Sequence, residues 1–492
     1  MNRYHGPHTD MWDGWLVSGP QGKLHLFHLQ MPIPGEPLSD REANAVGHAV
    51  SGDGLHWEWV GPVLPPLWDE TNPMDFHPKY TGCAVEKDGR CYLFYTMRDR
   101  DAANQRIGVA LSDDWVTFTP WEGNPVLCPD DSLLLGYEAV KSHEWGIVDC
   151  RDMLILFDEE SRRYLGYFAA AADVGRPHPV GVIAMAESDD LLHWDSQRIV
   201  YIPRQNGMIE VPDVFCMNGK WFLTFLAGPS YAGRSLTLDD TVKNGTFYAV
   251  ADSPRGPFRE GADNLLIGGK SQSGFSCRSI LLNGNRLLYY TDRTPYGCRY
   301  TLPKVLRLNG DGNLRACYTS LLEKLRQREL PQPAGLTPLP NSFAWKTYGG
   351  TVARTAGGFR VTTTEWDYQV AAAKTEAAAL ELRAAVTVAA VGGGFYFSDG
   401  IHRYLLSLEP EGERLLLTAL YDFSPIAARR YPFLRHSTYD LRILLMDGTL
   451  EVYVQEELLL QGGVELDAVT EWGVFADRGE TLAEEIELYE LE

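Results

Sequence analysis

Three acids in the first half of the chain share one phase. Asp13, Asp152 and Glu210 each stand 11 or 12 residues ahead of a recurring aromatic strand phrase that opens at Leu24, Tyr164 and Trp221. The same count in the two other copies of the phrase reaches Tyr80-Thr81 and Ser276-Cys277-Arg278. A single acid at such a place reads as a solvated turn residue, and only the shared phase makes these three candidates for convergence. Convergent carboxylates suit cleavage of a glycosidic bond. One, protonated, assists the leaving oxygen, while another attacks the anomeric carbon or activates water. Mutual repulsion and partial burial raise the pKa of the acid, so one site can hold both protonation states. Calcium ligation is the other chemistry open to three carboxylates.

Neighbouring residues extend the sugar reading. Trp12 and Trp15 flank Asp13, and flat apolar rings match the C–H faces of sugars, with packing between sheets as the alternative. Arg151 precedes Asp152, where a guanidinium holds the acid ionised, donates to a substrate hydroxyl or forms a structural salt bridge. His5, His8 and His25 lack the partner spacing that catalysis or metal binding requires.

The elements that must position these acids are strands. Short aromatic and β-branched runs separated by Gly, Asn, Asp and Pro turns fill the first 300 residues, with almost no sustained helical period. The aromatic phrase occurs five times, as in Gly89-Arg90-Cys91-Tyr92-Leu93-Phe94-Tyr95 and Gly219-Lys220-Trp221-Phe222-Leu223. After the first four copies a polar turn leads to an aromatic six residues on, at Trp57, Phe118, Trp194 and Phe258. Such units fit the four-stranded blades of a propeller, so five copies predict a five-bladed β-propeller over residues 1–318, with the acids on channel-lining strands of three blades. Leu321, Leu322 and Leu325 predict a short helix over Thr319–Glu329. A Pro- and Gly-rich linker follows to residue 340, and new strands from 341 to 492 predict a β-sandwich. Ala371–Leu382 has helical propensity inside that strand-rich region and is left open.

Composition narrows the function. The 492 residues carry 44 Lys and Arg against 66 Asp and Glu, a net charge of −22 that repels phosphate backbones and anionic lipid. Nucleic-acid and membrane partners are therefore not expected. The eight cysteines lack CxxC spacing, and the first residues lack an apolar signal core. Both point to reduced thiols in a cytoplasmic protein. Nothing calls for a cofactor.

At these positions the chain resembles glycoside hydrolase family 32, the β-fructofuranosidases. Cys150-Arg151-Asp152-Met153 is similar to the family's Arg-Asp-Pro motif, and Ile209-Glu210-Val211-Pro212-Asp213 to its Glu-Cys-Pro-Asp motif. Trp12-Asp13-Gly14 stands where the family has Asn-Asp-Pro-Asn-Gly, and Tyr80-Thr81-Gly82 where it has Phe-Ser-Gly. The resemblance implies a five-bladed propeller with a C-terminal β-sandwich, acting on sucrose or short fructosides with retention. It implies Asp13 as nucleophile, Glu210 as general acid/base and Asp152 as transition-state stabiliser. Trp12, Tyr80, Thr81, Arg151 and Asp213 become candidate sugar contacts. The family's substrate-binding Gln aligns with Leu29, leaving Gln30 as a further candidate one place off, on the other face of its strand. Another furanosidase of this architecture, such as an arabinofuranosidase, and a catalytically silent sugar-binding propeller are the alternatives.

Overall fold

The aromatic phrase folds as expected from its alternation. In a computed structural model its five copies form the strands Leu24–Pro32, Arg90–Arg98, Arg163–Ala172, Lys220–Ala227 and Asn285–Thr294. The structure describes residues 4–66, 75, 77–100, 104–142, 146–204, 207–228, 244–269, 274–295, 297–339, 350–364 and 367–492. Each phrase strand pairs antiparallel with the strand before it. These preceding strands, here called the first to fifth inner strands, are Thr9–Ser18, Tyr80–Lys87, Cys150–Asp158, Ile209–Met217 and Phe275–Leu282. Three of the hairpins turn on Asp88-Gly89, Asn218-Gly219 and Asn283-Gly284, with positive φ at both residues. Asp and Asn tolerate that left-handed region and Gly enters it freely, so these pairs set the hairpin register.

The inner strands neighbour one another in sequence order, and the first touches the fifth, so they close a ring. This is a β-propeller arrangement. Among the described residues, four separate sheets of four strands each follow the chain order. Five such units were expected. The strands of the fifth repeat, Phe275–Leu282, Asn285–Thr294, Lys304–Leu308 and Leu314–Cys317, keep the same order but belong to a 13-stranded sheet. Cys317 pairs with Glu457 of the C-terminal region, so the edge of this unit continues into other strands instead of ending in solvent.

The polar-turn phrases fasten neighbouring sheets. Asp53, Asp114 and Asp190 each accept backbone N–H groups two and three residues ahead, at 2.7–2.9 Å, which aims the following aromatic. Each aromatic then packs on the preceding unit. Phe118 meets Phe27 edge-on at 5.6 Å, and Trp194 meets Phe94 at 6.1 Å. Phe258 is buried in one cluster with Leu165 and Tyr167. Trp57 closes the ring edge-on against Tyr289 and Tyr300 of the fifth unit, at 6.3 and 5.9 Å. Such aromatic pairs contribute about 0.5–1.5 kcal/mol each beyond their area burial.

Two sequence expectations change around and beyond residue 319. The helix is only a 3-10 turn, Ser320–Leu325, and Arg326–Glu329 is a strand paired with Glu480–Leu491. Arg326 donates to both carboxylate oxygens of Glu381 at 2.7 Å, and this tertiary tie outweighs local propensity. Within the expected linker Leu330 and Leu336 are buried in the C-terminal core, and Thr337–Pro338 pairs with Tyr368–Ala377. The linker's end at Pro340 and the boundary at 341 lie outside the described residues. The Ala-rich segment is strand on both sides of a turn, Tyr368–Ala377 and Leu380–Val388. Ala371, Ala377, Leu380 and Leu382 of this segment lie in an apolar core shared by the 13-stranded sheet and a seven-stranded sheet.

A histidine cluster lies inside the first unit. His25 and His48 share a hydrogen bond of 2.9 Å, His48 stacks on Phe27 at 4.5 Å, and His28 bonds the Tyr4 hydroxyl at 3.1 Å. Burial lowers His25 and His28 to about 4 and His48 to about 3. Unfolded histidines titrate near 6.5. Between that pH and about 4 the unfolded chain binds more protons, so stability is full above 6.5 and is lost as pH falls. We expect Tm to fall over this window, and to fall less steeply in His48→Gln. Parallel Tm-against-pH curves for the two proteins would contradict this account.

Candidate active site

Every inner strand carries the same irregularity. At one register position two of its residues oppose a single residue of the phrase strand, a β-bulge. The pairs are Trp12-Asp13, Thr81-Gly82, Asp152-Met153, Val211-Pro212 and Ser276-Cys277, opposite Leu29, Tyr95, Phe168, Phe225 and Tyr290. A bulge breaks side-chain alternation and re-aims its residues. Asp152, Val211 and Ser276 have φ of 61°, 50° and 51°, a region that an aspartate tolerates but that is costly for serine and severely so for a β-branched valine. Strain of this kind costs about 1–3 kcal/mol per residue and persists only where surrounding structure over-determines it.

The bulges bring the three acids together from different register positions. Asp13 is the second residue of its bulge, Asp152 the first of its own, and Glu210 directly precedes the fourth. The sequence count placed them at one equivalent point, so this is a correction. The broken alternation is what lets residues of unlike parity face one site. The Thr81 hydroxyl donates to Asp13, and the Val211 N–H donates to Asp152 at 3.1 Å. Arg151, itself buried, donates to Glu210 at 3.1 Å and to Asp149 at 2.5 Å, and lies 3.5 Å from Asp152.

Electrostatics separate the acids. Burial raises the Asp13 carboxyl, opposed by the Ser276 and Thr81 hydroxyls, while the charge of Glu210 raises it further and that of Arg278 lowers it. Asp152 is pushed up to about 7 by burial, against the pull of Arg151, with Glu210 and Asp13 adding repulsion. Glu210 has the most open side chain of the three, 37% exposed against 6% for Asp152. It is therefore the acid best placed to meet an incoming group. Two buried carboxyls with raised pKa values and one open carboxyl beside an arginine make a site that can hold and move protons.

The remaining candidates divide. Trp12 is half-buried, its ring 5.9 Å from Phe275 and its carbonyl held by Thr291 at 2.7 Å. Tyr80 borders a cavity of about 270 Å³ together with Trp12, Leu29, Gln30 and Lys79. Gln30 lines the same cavity, but its amide donates to the Glu42 carbonyl at 2.9 Å, so it braces the short helix Asp40–Ala43 and has no bond to the acids. Asp213 accepts the Ser279 N–H at 2.8 Å and ties the fourth inner strand to the fifth. Among the described residues no three His, Cys, Asp or Glu side chains are grouped to hold a metal ion. Thr96 was overlooked in the sequence: it donates to the Thr81 carbonyl at 2.8 Å and accepts the Asp152 N–H at 3.0 Å, joining two bulges. Its only signal was a lone threonine closing an aromatic run.

A family model described as "Glycosyl hydrolases family 32 N-terminal domain" matches residues 16–265, a span that holds Asp152 and Glu210 and opens just after Asp13. Over 227 residues the chain is 26% identical to a probable sucrose-6-phosphate hydrolase of Vibrio cholerae, covering 43% of this chain and 37% of that one. It is 28% identical over 262 residues to a fructan 6-exohydrolase of Triticum aestivum, covering 47% and 38%. The chain thus spans well under half the length of these curated relatives. The fold is that of an exo-inulinase from Aspergillus awamori, with a TM-score of 0.70 at 16% identity over 100% of this chain and 98% of that chain. A β-fructofuranosidase from Bombyx mori is similar at a TM-score of 0.65, 16% identity and 99% and 94% coverage.

The raised pKa of Asp152 has a cost in stability. An unfolded aspartate titrates near 3.9, so the folded chain holds the extra proton up to about pH 7. Stability from this group is full below 3.9 and is lost as pH rises through 7. We expect Asp152→Asn to melt near the wild-type temperature at pH 4 and several degrees above it at pH 8. A Tm gap that does not widen with pH would refute the assignment.

Proposed function

The chain belongs to glycosyl hydrolase family 32, and from that premise we propose that it is an exo-acting, retaining β-fructofuranosidase cutting sucrose or short fructosides. The observation that carries the reading is the meeting of Asp13, Asp152 and Glu210 at or beside the bulges of three inner strands, with Arg151 reaching both Asp152 and Glu210. We read the fifth repeat as a fifth blade on the strength of its inner strand, which shares the bulge and completes the ring. The apolar core common to the two large sheets supports a C-terminal β-sandwich. Eight free cysteines, six of them buried, suit a cytoplasmic setting.

In this reading Glu210, protonated, gives its proton to the glycosidic oxygen as that C–O bond breaks, and the Asp13 carboxylate bonds the anomeric carbon. The leaving alcohol departs neutral. Glu210, now a carboxylate salt-bridged to Arg151, takes a proton from water. The water oxygen bonds the anomeric carbon and releases Asp13. Asp152, poised near neutrality by burial, accepts from or donates to sugar hydroxyls as positive charge develops on the ring. Trp12 supplies an apolar face beside the nucleophile.

Two experiments test these roles. Glu210→Gln should fold normally and lose about 10²–10⁴-fold in turnover on sucrose, but far less on aryl fructosides with activated leaving groups. Equal losses on both would remove Glu210 from the acid role. Proton NMR of the first-formed product, read before mutarotation, should show β-fructofuranose, the substrate's own configuration. An inverted product would turn Asp13 from nucleophile into general base.

A further inference from the structure

The fifth inner strand supplies no acid, yet it sends a buried cation across the ring. Arg278 is 2% exposed and directly follows the Ser276-Cys277 bulge. Its guanidinium donates to three backbone carbonyls: Pro212, Gly82 at 3.3 Å and Asp152 at 3.1 Å. All three belong to bulge residues, of the fourth, second and third inner strands. A bulge interrupts the ladder, and a buried carbonyl freed there is costly unless a new donor reaches it. One planar guanidinium with five N–H groups can serve several at once, which an ammonium cannot do in a fixed geometry. Close approach is enforced at Gly82, where a Cβ would lie 2.0 Å from the Phe94 carbonyl oxygen.

We propose that Arg278 is a positioning residue of the active site, tying three bulges together so that Asp13, Asp152 and Glu210 stand at fixed depths in the channel. The bulges it binds are those that present Thr81 to Asp13, carry Asp152 and adjoin Glu210. Its charge also faces Asp13, alongside the hydroxyls of Thr81 and Ser276 and the carboxyls of Glu210 and Asp152. It therefore favours the ionised nucleophile in a site where burial opposes ionisation. The catalytic consequence rests on the function proposed above; the structural tie does not.

Two variants and two readouts separate these parts. Arg278→Met should lower kcat on sucrose about 100-fold, the scale of a misplaced catalytic group, while KM stays within about threefold. The acidic limb of kcat/KM should move to higher pH, because Asp13 loses a facing cation. Arg278→Lys should also lose kcat but keep the limb near its wild-type position, since the charge remains. Hydrogen exchange of both full-length variants should rise over residues 80–84, 150–154 and 209–214, with the C-terminal sheets unchanged. A wild type inactive on every fructoside would overturn the functional reading alone, and exchange would still judge the tie. Wild-type kcat and an unmoved limb in Arg278→Met, or unchanged exchange at the three bulges, would overturn the proposal. So would failure of both variants to fold, which would assign Arg278 to stability.

Discussion

One backbone event, repeated around the ring, sets the geometry of this molecule. A regular strand presents alternate residues to alternate faces, so adjacent inner-strand residues could not serve a common site. The two-for-one bulge suspends that rule at one height in each inner strand. The acids then approach from three different register positions. The bulges expose backbone polar groups and hold Val211 in an unfavourable conformation. They survive because every neighbour constrains them: Thr96 joins the second to the third, and Asp213 joins the fourth strand to the fifth.

The charge arrangement follows from that geometry. Burial opposes ionisation of Asp13 and Asp152, and the charge of Glu210 adds to the effect on both. Arg151 offsets part of this at Asp152. The site thus keeps protons that isolated aspartates would have lost, at the expense of folding free energy. Such opposition between stability and chemistry is a common mark of functional sites.

Side-chain patterns were legible in the sequence, and backbone events were not. The aromatic phrase located all five second strands, and the anchors Trp57, Phe118, Trp194 and Phe258 do join units. Counting from those strands reached three acids that the fold brings together, Asp13, Asp152 and Glu210, to within the two residues that a bulge displaces. The bulges themselves leave no compositional trace, since the ten residues that form them range from Gly82 to Trp12. Arg326–Glu329 was read as helix because its partner, Glu480–Leu491, is remote in sequence. Gln30, a candidate on the other face of its strand, is held by the Glu42 carbonyl, a partner that nothing local announces.

The contact of Trp57 with Tyr289 and Tyr300 bears on how the chain is made. The first unit emerges from the ribosome long before the fifth, so its Trp57 face waits uncovered while the intervening sheets are synthesised. Units two to four can each dock on the one before as they appear, through Phe118, Trp194 and Phe258 in turn. Assembly therefore has a direction. Asp13, the first of the three site acids to be translated, reaches its final surroundings last, because Ser276 and Arg278 must arrive before its side of the ring exists.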